Sequence, residues 1–97
     1  MRIRILESAL ADLDRGRIFY EGQKEGLGGY FLDAMFAEID SLVLFTGIHR
    51  RVFEFHPIVS RRFPYAVYYR IEDDAVPVVW RVLDLRQAPR KIRKALR

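Results

Sequence analysis

The sequence predicts an α+β fold in the order β-α-α-β-β-β-α: an N-terminal strand, an α-helical hairpin, a three-stranded antiparallel meander and a short C-terminal helix. Three observations predict it. Apolar residues recur every three or four positions through the first half of the chain and at every second position through much of the second half, the periods of helix and strand. The links in the second half are too short for helical crossovers, so the sheet cannot be wholly parallel. Ninety-seven residues suit one domain, 1–97, around one core.

Each element has its own signal. Arg2 to Leu6 alternates polar and apolar side chains like a half-buried strand, and Ser8 is placed to cap the helix that follows. From Ala9, residues Leu10, Leu13, Arg17 and Tyr20, with Ile18 and Phe19 beside them, read as a first helix ending in the glycine-containing segment Glu21 to Gly29. Phe31, Met35, Ile39, Leu42 and Phe45 make the stripe of a second helix, with Gly47 as its terminator. Val52-Phe53-Glu54-Phe55 reads as a short strand stopped near Pro57. Phe63, Tyr65, Val67, Tyr69 and Ile71 mark a longer one. Glu72-Asp73-Asp74-Ala75 supplies turn chemistry, and Val76 through Leu85 returns, with Pro77 at its beginning or at a non-bonded position because proline has no amide to donate to a ladder. Pro89 opens a terminal helix over Arg90 to Leu96.

Composition narrows the function. With no cysteine, disulfides and thiolate metal sites are excluded. The first residues do not form a secretory signal, and no run approaches the roughly 18 apolar residues of a membrane span, so a soluble cytoplasmic protein is expected. The net charge of +4 is unevenly spread: residues 1–48 carry five basic and eight acidic side chains, residues 49–97 twelve and five. A basic half of this kind attracts an anionic partner, nucleic acid or acidic protein.

A self-contained catalytic centre is hard to assemble. His49 and His56 lie seven apart, on opposite faces if their strand is continuous, and lack a third ligand, so they read as surface or loop histidines, with no metal or cofactor expected. Asp73-Asp74 reads as a solvated turn, Gly26-Leu27-Gly28-Gly29 lacks the Lys-Ser/Thr ending of a phosphate loop, and Ser8, Ser41 and Ser60 sit in no nucleophile elbow. Tyr65 and Tyr69 fall on one face of their strand and Tyr68 on the other, as core aromatics do. The distinctive set is basic: Arg61 and Arg62 before the long strand, Arg81 and Arg86 on the return strand and its exit, Arg90 and Arg93 on the last helix with Lys91, Lys94 and Arg97. Guanidinium groups fork onto carboxylates or phosphates alike, so Arg61, Arg62, Arg81, Arg86, Arg90 and Arg93 are the expected target-binding residues.

Ser8-Ala9-Leu10-Ala11-Asp12-Leu13 on the first helix, Arg62-Phe63-Pro64-Tyr65-Ala66-Val67-Tyr68-Tyr69-Arg70-Ile71 on the long strand and Arg86-Gln87-Ala88-Pro89 before the last helix resemble the RelE/ParE toxin superfamily across nearly the whole chain. The resemblance implies the toxin of a type II toxin-antitoxin pair, neutralised by a small antitoxin protein with which it could oligomerise. Its RelE-like branch cuts messenger RNA on the ribosome, and its ParE-like branch inhibits DNA gyrase. Against the ribonuclease pattern, Ala66 stands where an arginine follows the strand tyrosine, Gln87 where a second arginine precedes the last helix, and no tyrosine or histidine follows Tyr69; Asp84 stands near a position where many relatives carry histidine. These differences remove charge and proton-transfer capacity together. The expectation is a non-catalytic, ParE-like toxin. The alternatives are a RelE-like endoribonuclease using Arg62, Arg81 and Arg86, or a degenerate member that binds its antitoxin without being toxic.

Overall fold

A computed structural model describes residues 2–72 and 75–97. The Asp73-Asp74 part of the expected turn lies outside the described residues. The elements are β1 (Arg4–Ile5), α1 (Glu7–Gln23), α2 (Leu27–Asp40), α3 (Leu42–Phe45), β2 (His56–Val59), β3 (Tyr65–Ile71), β4 (Pro77–Asp84) and α4 (Pro89–Ala95). The described strands form one sheet ordered β1-β4-β3-β2, parallel only between β1 and β4. It is the expected α+β architecture, with the expected second helix broken at Ser41 into α2 and α3.

Helix α1 starts one residue before Ser8. Leu6 occupies its N-cap position, and the Ser8 hydroxyl instead donates to the Trp80 carbonyl at 2.7 Å, pinning the helix to β4. The buried face consists of Ala9, Asp12, Leu13, Gly16 and Tyr20, while Leu10 is exposed. Small residues win those inward positions because α2 crosses close: a Cβ on Gly16 would lie 2.5 Å from the Phe31 ring, and one on Gly28 would lie 2.6 Å from the Arg17 carbonyl oxygen. The link between the helices is accordingly short. Gly28 and Gly29 belong to α2, and the Glu21 carboxylate accepts from the amides of Gly26 and Gly28 at 2.9 Å each, satisfying donors that a helix start leaves open. Those two amides hold the Glu21 pKa below the ordinary glutamate value.

The second apolar stripe holds for Phe31, Met35, Ile39 and Leu42, all buried. It fails at Phe45. The chain bends at Ser41, whose hydroxyl donates back to the Glu38 carbonyl, and the short α3 leaves Phe45 half-exposed. The second strand is also displaced. It is His56–Val59 and contains Pro57, whereas Val52–Phe55 is a tight turn closed by reciprocal backbone bonds of 2.6 and 3.0 Å, with Phe53 and Glu54 both at positive φ. An edge strand tolerates proline because one side of it needs no ladder donor.

Alternation in β3 divides two apolar layers. Tyr65, Val67 and Tyr69 face α1 and α2, and Ala66 and Tyr68 face α4 with Leu83, Ile92 and Leu96. The Tyr20, Phe31, Phe63 and Tyr65 rings meet edge-on or tilted with centroids 4.8 to 6.1 Å apart, so the Phe-Pro-Tyr segment is anchored in the first layer. Burying one such side chain contributes about 1.5–3 kcal/mol. Pro77 sits at the first position of β4, as its missing amide requires.

Strand β1 covers only Val78 and Val79, so the rest of β4 has an open edge. Asp12 closes it. Its carboxylate accepts from the Val82 amide (2.9 Å) and from Nε and Nη2 of Arg81 (2.7 and 2.8 Å), with Arg15 as a further partner. Nη1 of Arg81 donates to the Ala95 carbonyl of α4 at 3.1 Å. One carboxylate thus joins α1, the β4 edge and, through Arg81, α4.

Two outcomes follow for urea unfolding. Gly16→Ala drives a methyl into the Phe31 ring and loses about 1–3 kcal/mol, whereas Gly29→Ala, on a helix position with open space, gains up to about 1 kcal/mol; equal effects would show that α1 and α2 do not cross this closely. Asp12→Ala strands the part-buried Arg81 guanidinium and a buried strand amide and loses about 3–5 kcal/mol; a loss under about 1 kcal/mol would show that Asp12 is not the tie.

Candidate target-binding surface

The six expected arginines occupy three places. Arg81 and Arg86 share a groove of about 320 Å³ between α1, the end of β4 and α4, lined also by Asp12, Arg15, Phe19, Tyr65 and Gln87. Arg61 and Arg62 border a separate groove of about 300 Å³, where the β2–β3 turn meets Tyr30, Asp33 and Glu38 of α2. Arg90 and Arg93 stand exposed on α4, the latter 5.3 Å from the centre of the Phe53 ring.

Their engagement differs as much as their position. Arg81, with 23% of its side chain exposed, is committed to Asp12. Arg86 is more open, at 54%, yet its Nε and Nη2 fork onto the two Asp84 oxygens at 3.0 and 2.6 Å while its own amide donates to the same carboxylate. Beneath it lies the Phe19 ring, 5.8 Å away. Arg62 donates to the Tyr30 hydroxyl at 2.8 Å. A seventh arginine belongs to this description although its position near the end of β3 hides it: Arg70 lies over both the Phe55 and Trp80 rings, at 5.3 and 5.4 Å.

The electrostatics of the first groove hold each group in one protonation state. Burial pushes Tyr65 and Tyr20 above the ordinary phenol value, against the opposing pull of Arg86. The Arg86 fork holds Asp84 below the ordinary carboxylate value, and Asp84 in turn raises Arg86. Near neutral pH the tyrosines are neutral, Asp84 is ionised and Arg86 is charged, so these groups bind and orient rather than exchange protons. Ala66 is wholly buried beneath α4, and Gln87 reaches the groove rim without charge. The expected opposition of the two histidines is not found. His49 Nδ1 lies 2.7 Å from the Tyr69 hydroxyl, and the His56 ring stacks on Tyr69 with centroids 5.1 Å apart, because the chain turns between them. Among the described residues, no three His, Asp or Glu side chains are placed to hold a metal ion, and no helix is long and apolar enough to cross a membrane.

No protein-family profile matches the sequence, and no curated protein is significantly similar to it. The backbone, however, superposes on a chain of the solved "Chromosomal ParDE TA system from P. aeruginosa" with a TM-score of 0.75, covering 88% of this chain and 96% of that one at 15% identity. This likeness establishes that the chain shares the fold of that ParDE chain.

Proposed function

We propose that this chain is the toxin of a type II toxin-antitoxin pair and acts as a non-catalytic, ParE-like inhibitor of DNA gyrase, held inactive by a small antitoxin. The observation that carries the reading is the commitment of its arginines. A ribonuclease needs Arg62, Arg81 and Arg86 to converge on one phosphate; Arg62 lies on a different groove, Arg81 is occupied by Asp12, and Arg86 is occupied by Asp84. Proton transfer is equally poorly supported, since Tyr65 and Asp84 are driven away from neutrality in opposite directions. What stays available to a macromolecular target is an exposed basic set that includes Arg61 beside α2, Arg50 and Arg51 before β2, and Arg90, Lys91, Arg93 and Lys94 on α4. Contacts of this kind steer and hold a partner without chemistry.

Purified protein added to a DNA supercoiling reaction should inhibit gyrase, and the Arg90→Glu/Arg93→Glu double variant should need at least about tenfold more protein for the same effect, the equivalent of about 1.4 kcal/mol. Ribosome-bound messenger RNA should stay intact. Unchanged supercoiling at large excess would overturn the gyrase reading, and new RNA ends would replace it with the endoribonuclease.

A further inference from the structure

Residues 46–51 form a strap between α3 and the Val52–Phe55 turn, which the buried Phe55 ring anchors in the second apolar layer; the strap meets β3 through one buried hydroxyl and β2 through the His49 carbonyl. Tyr69 on β3 is fully buried, and its oxygen accepts from the Gly47 amide at 2.9 Å. Burial raises the Tyr69 pKa, outweighing the opposing effect of the Gly47 and His49 backbone bonds, so the phenol keeps its proton. That proton points at His49 Nδ1, 2.7 Å away, which must therefore be the unprotonated ring nitrogen. The neighbouring histidine is fixed the other way. His56 Nδ1 lies 2.7 Å from the His49 carbonyl, which can only accept, so His56 carries its proton there. Beyond the strap, Phe53 and Glu54 hold consecutive left-handed conformations in a turn that ordinarily takes Asn-Gly.

We propose that this strap is a proton-released latch, in which protonation of His49 at Nδ1 breaks its bond to the Tyr69 hydroxyl and frees residues 46–51 from β3. The added proton turns an acceptor into a donor that faces a hydroxyl already accepting from a backbone amide. The phenol hydrogen loses its acceptor, and a cation appears beside His56. The charged surroundings act in both directions. Glu38 of α2 favours the cation on His49, Arg61 borders the same groove and opposes it, and His56 adjoins Arg51, Glu54 and Arg70, two cations against one anion. Burial dominates, with His56 adding to it, and lowers the His49 pKa. The sign of the linkage follows. The closed strap binds the proton more weakly than the open one, whose His49 titrates near its ordinary value of about 6.5. Closure is therefore strongest above that value and weakens as pH falls below it, by up to about tenfold per pH unit, until the lowered value is reached.

Amide exchange of the full chain, normalised for intrinsic rates and read by NMR at about pH 7.5 and about pH 5.5, tests the latch on either side of the ordinary imidazole value. Protection of the Gly47 amide should fall several-fold to about tenfold at the lower pH while that of the β3 amides holds. His49→Asn, whose side-chain oxygen accepts without titrating, should keep its protection at both values, and Tyr69→Phe should be weakly protected at both. Equal wild-type protection at the two pH values, an equal fall in the β3 amides, or a fall that persists in His49→Asn would overturn the proposal. Should His49→Asn not fold, a persisting fall in Tyr69→Phe would overturn it just as well.

Discussion

The buried Asp12 carboxylate, shared between the Arg81 guanidinium and the Val82 amide, is the constraint on which the rest of the structure depends. Strand β1 is two residues long and cannot protect the edge of β4. Without another acceptor, the β4 edge would carry a buried orphan donor, and α1 would have only side-chain packing to place it. Arg81 extends the tie to the Ala95 carbonyl, so both apolar layers of the sheet are registered to the same ion pair. Such a pair contributes little by itself, because desolvation offsets most of the Coulomb attraction; its strength lies in what is left behind when one member is missing.

The same tie changes the meaning of the basic half of the chain. Seventeen lysines and arginines against thirteen carboxylates invite the idea of a broad anion-binding surface. In the fold, Arg81 and Arg86 are held by Asp12 and Asp84, Arg62 by Tyr30, and Arg70 by two aromatic rings. These cations organise the protein. Exposed cations on α4 and at Arg50, Arg51 and Arg61 give this half of the chain its outward charge.

What could be read from the sequence tracks how local the cause is. The faces of β3 were legible because alternation from Tyr65 to Tyr69 needs only the pleat, and Pro77 and Pro89 fell where a missing amide is harmless. The buried face of α1 was misread because Ala9 and Gly16 signal weakly beside Leu10, yet helix crossing selects small residues. The second strand was misplaced since Val52–Phe55 alternates well and Pro57 looks like a stop; only its edge position makes proline acceptable there. Of the candidate site, the grouping of Arg81 with Arg86 followed from their strand, but the partner of Arg81 is 69 residues away and carries no sequence signal. The meeting of His49 and His56 at Tyr69 was hidden for the same reason.

A double-mutant cycle on Asp12 and Arg81, using Asp12→Leu, Arg81→Met and the pair together in urea unfolding, measures the central tie most directly. If one carboxylate registers α1, β4 and α4 through Arg81, the double variant will be more stable than the sum of the single losses predicts, by roughly 1–3 kcal/mol. Single losses that add within about 0.5 kcal/mol would contradict the account.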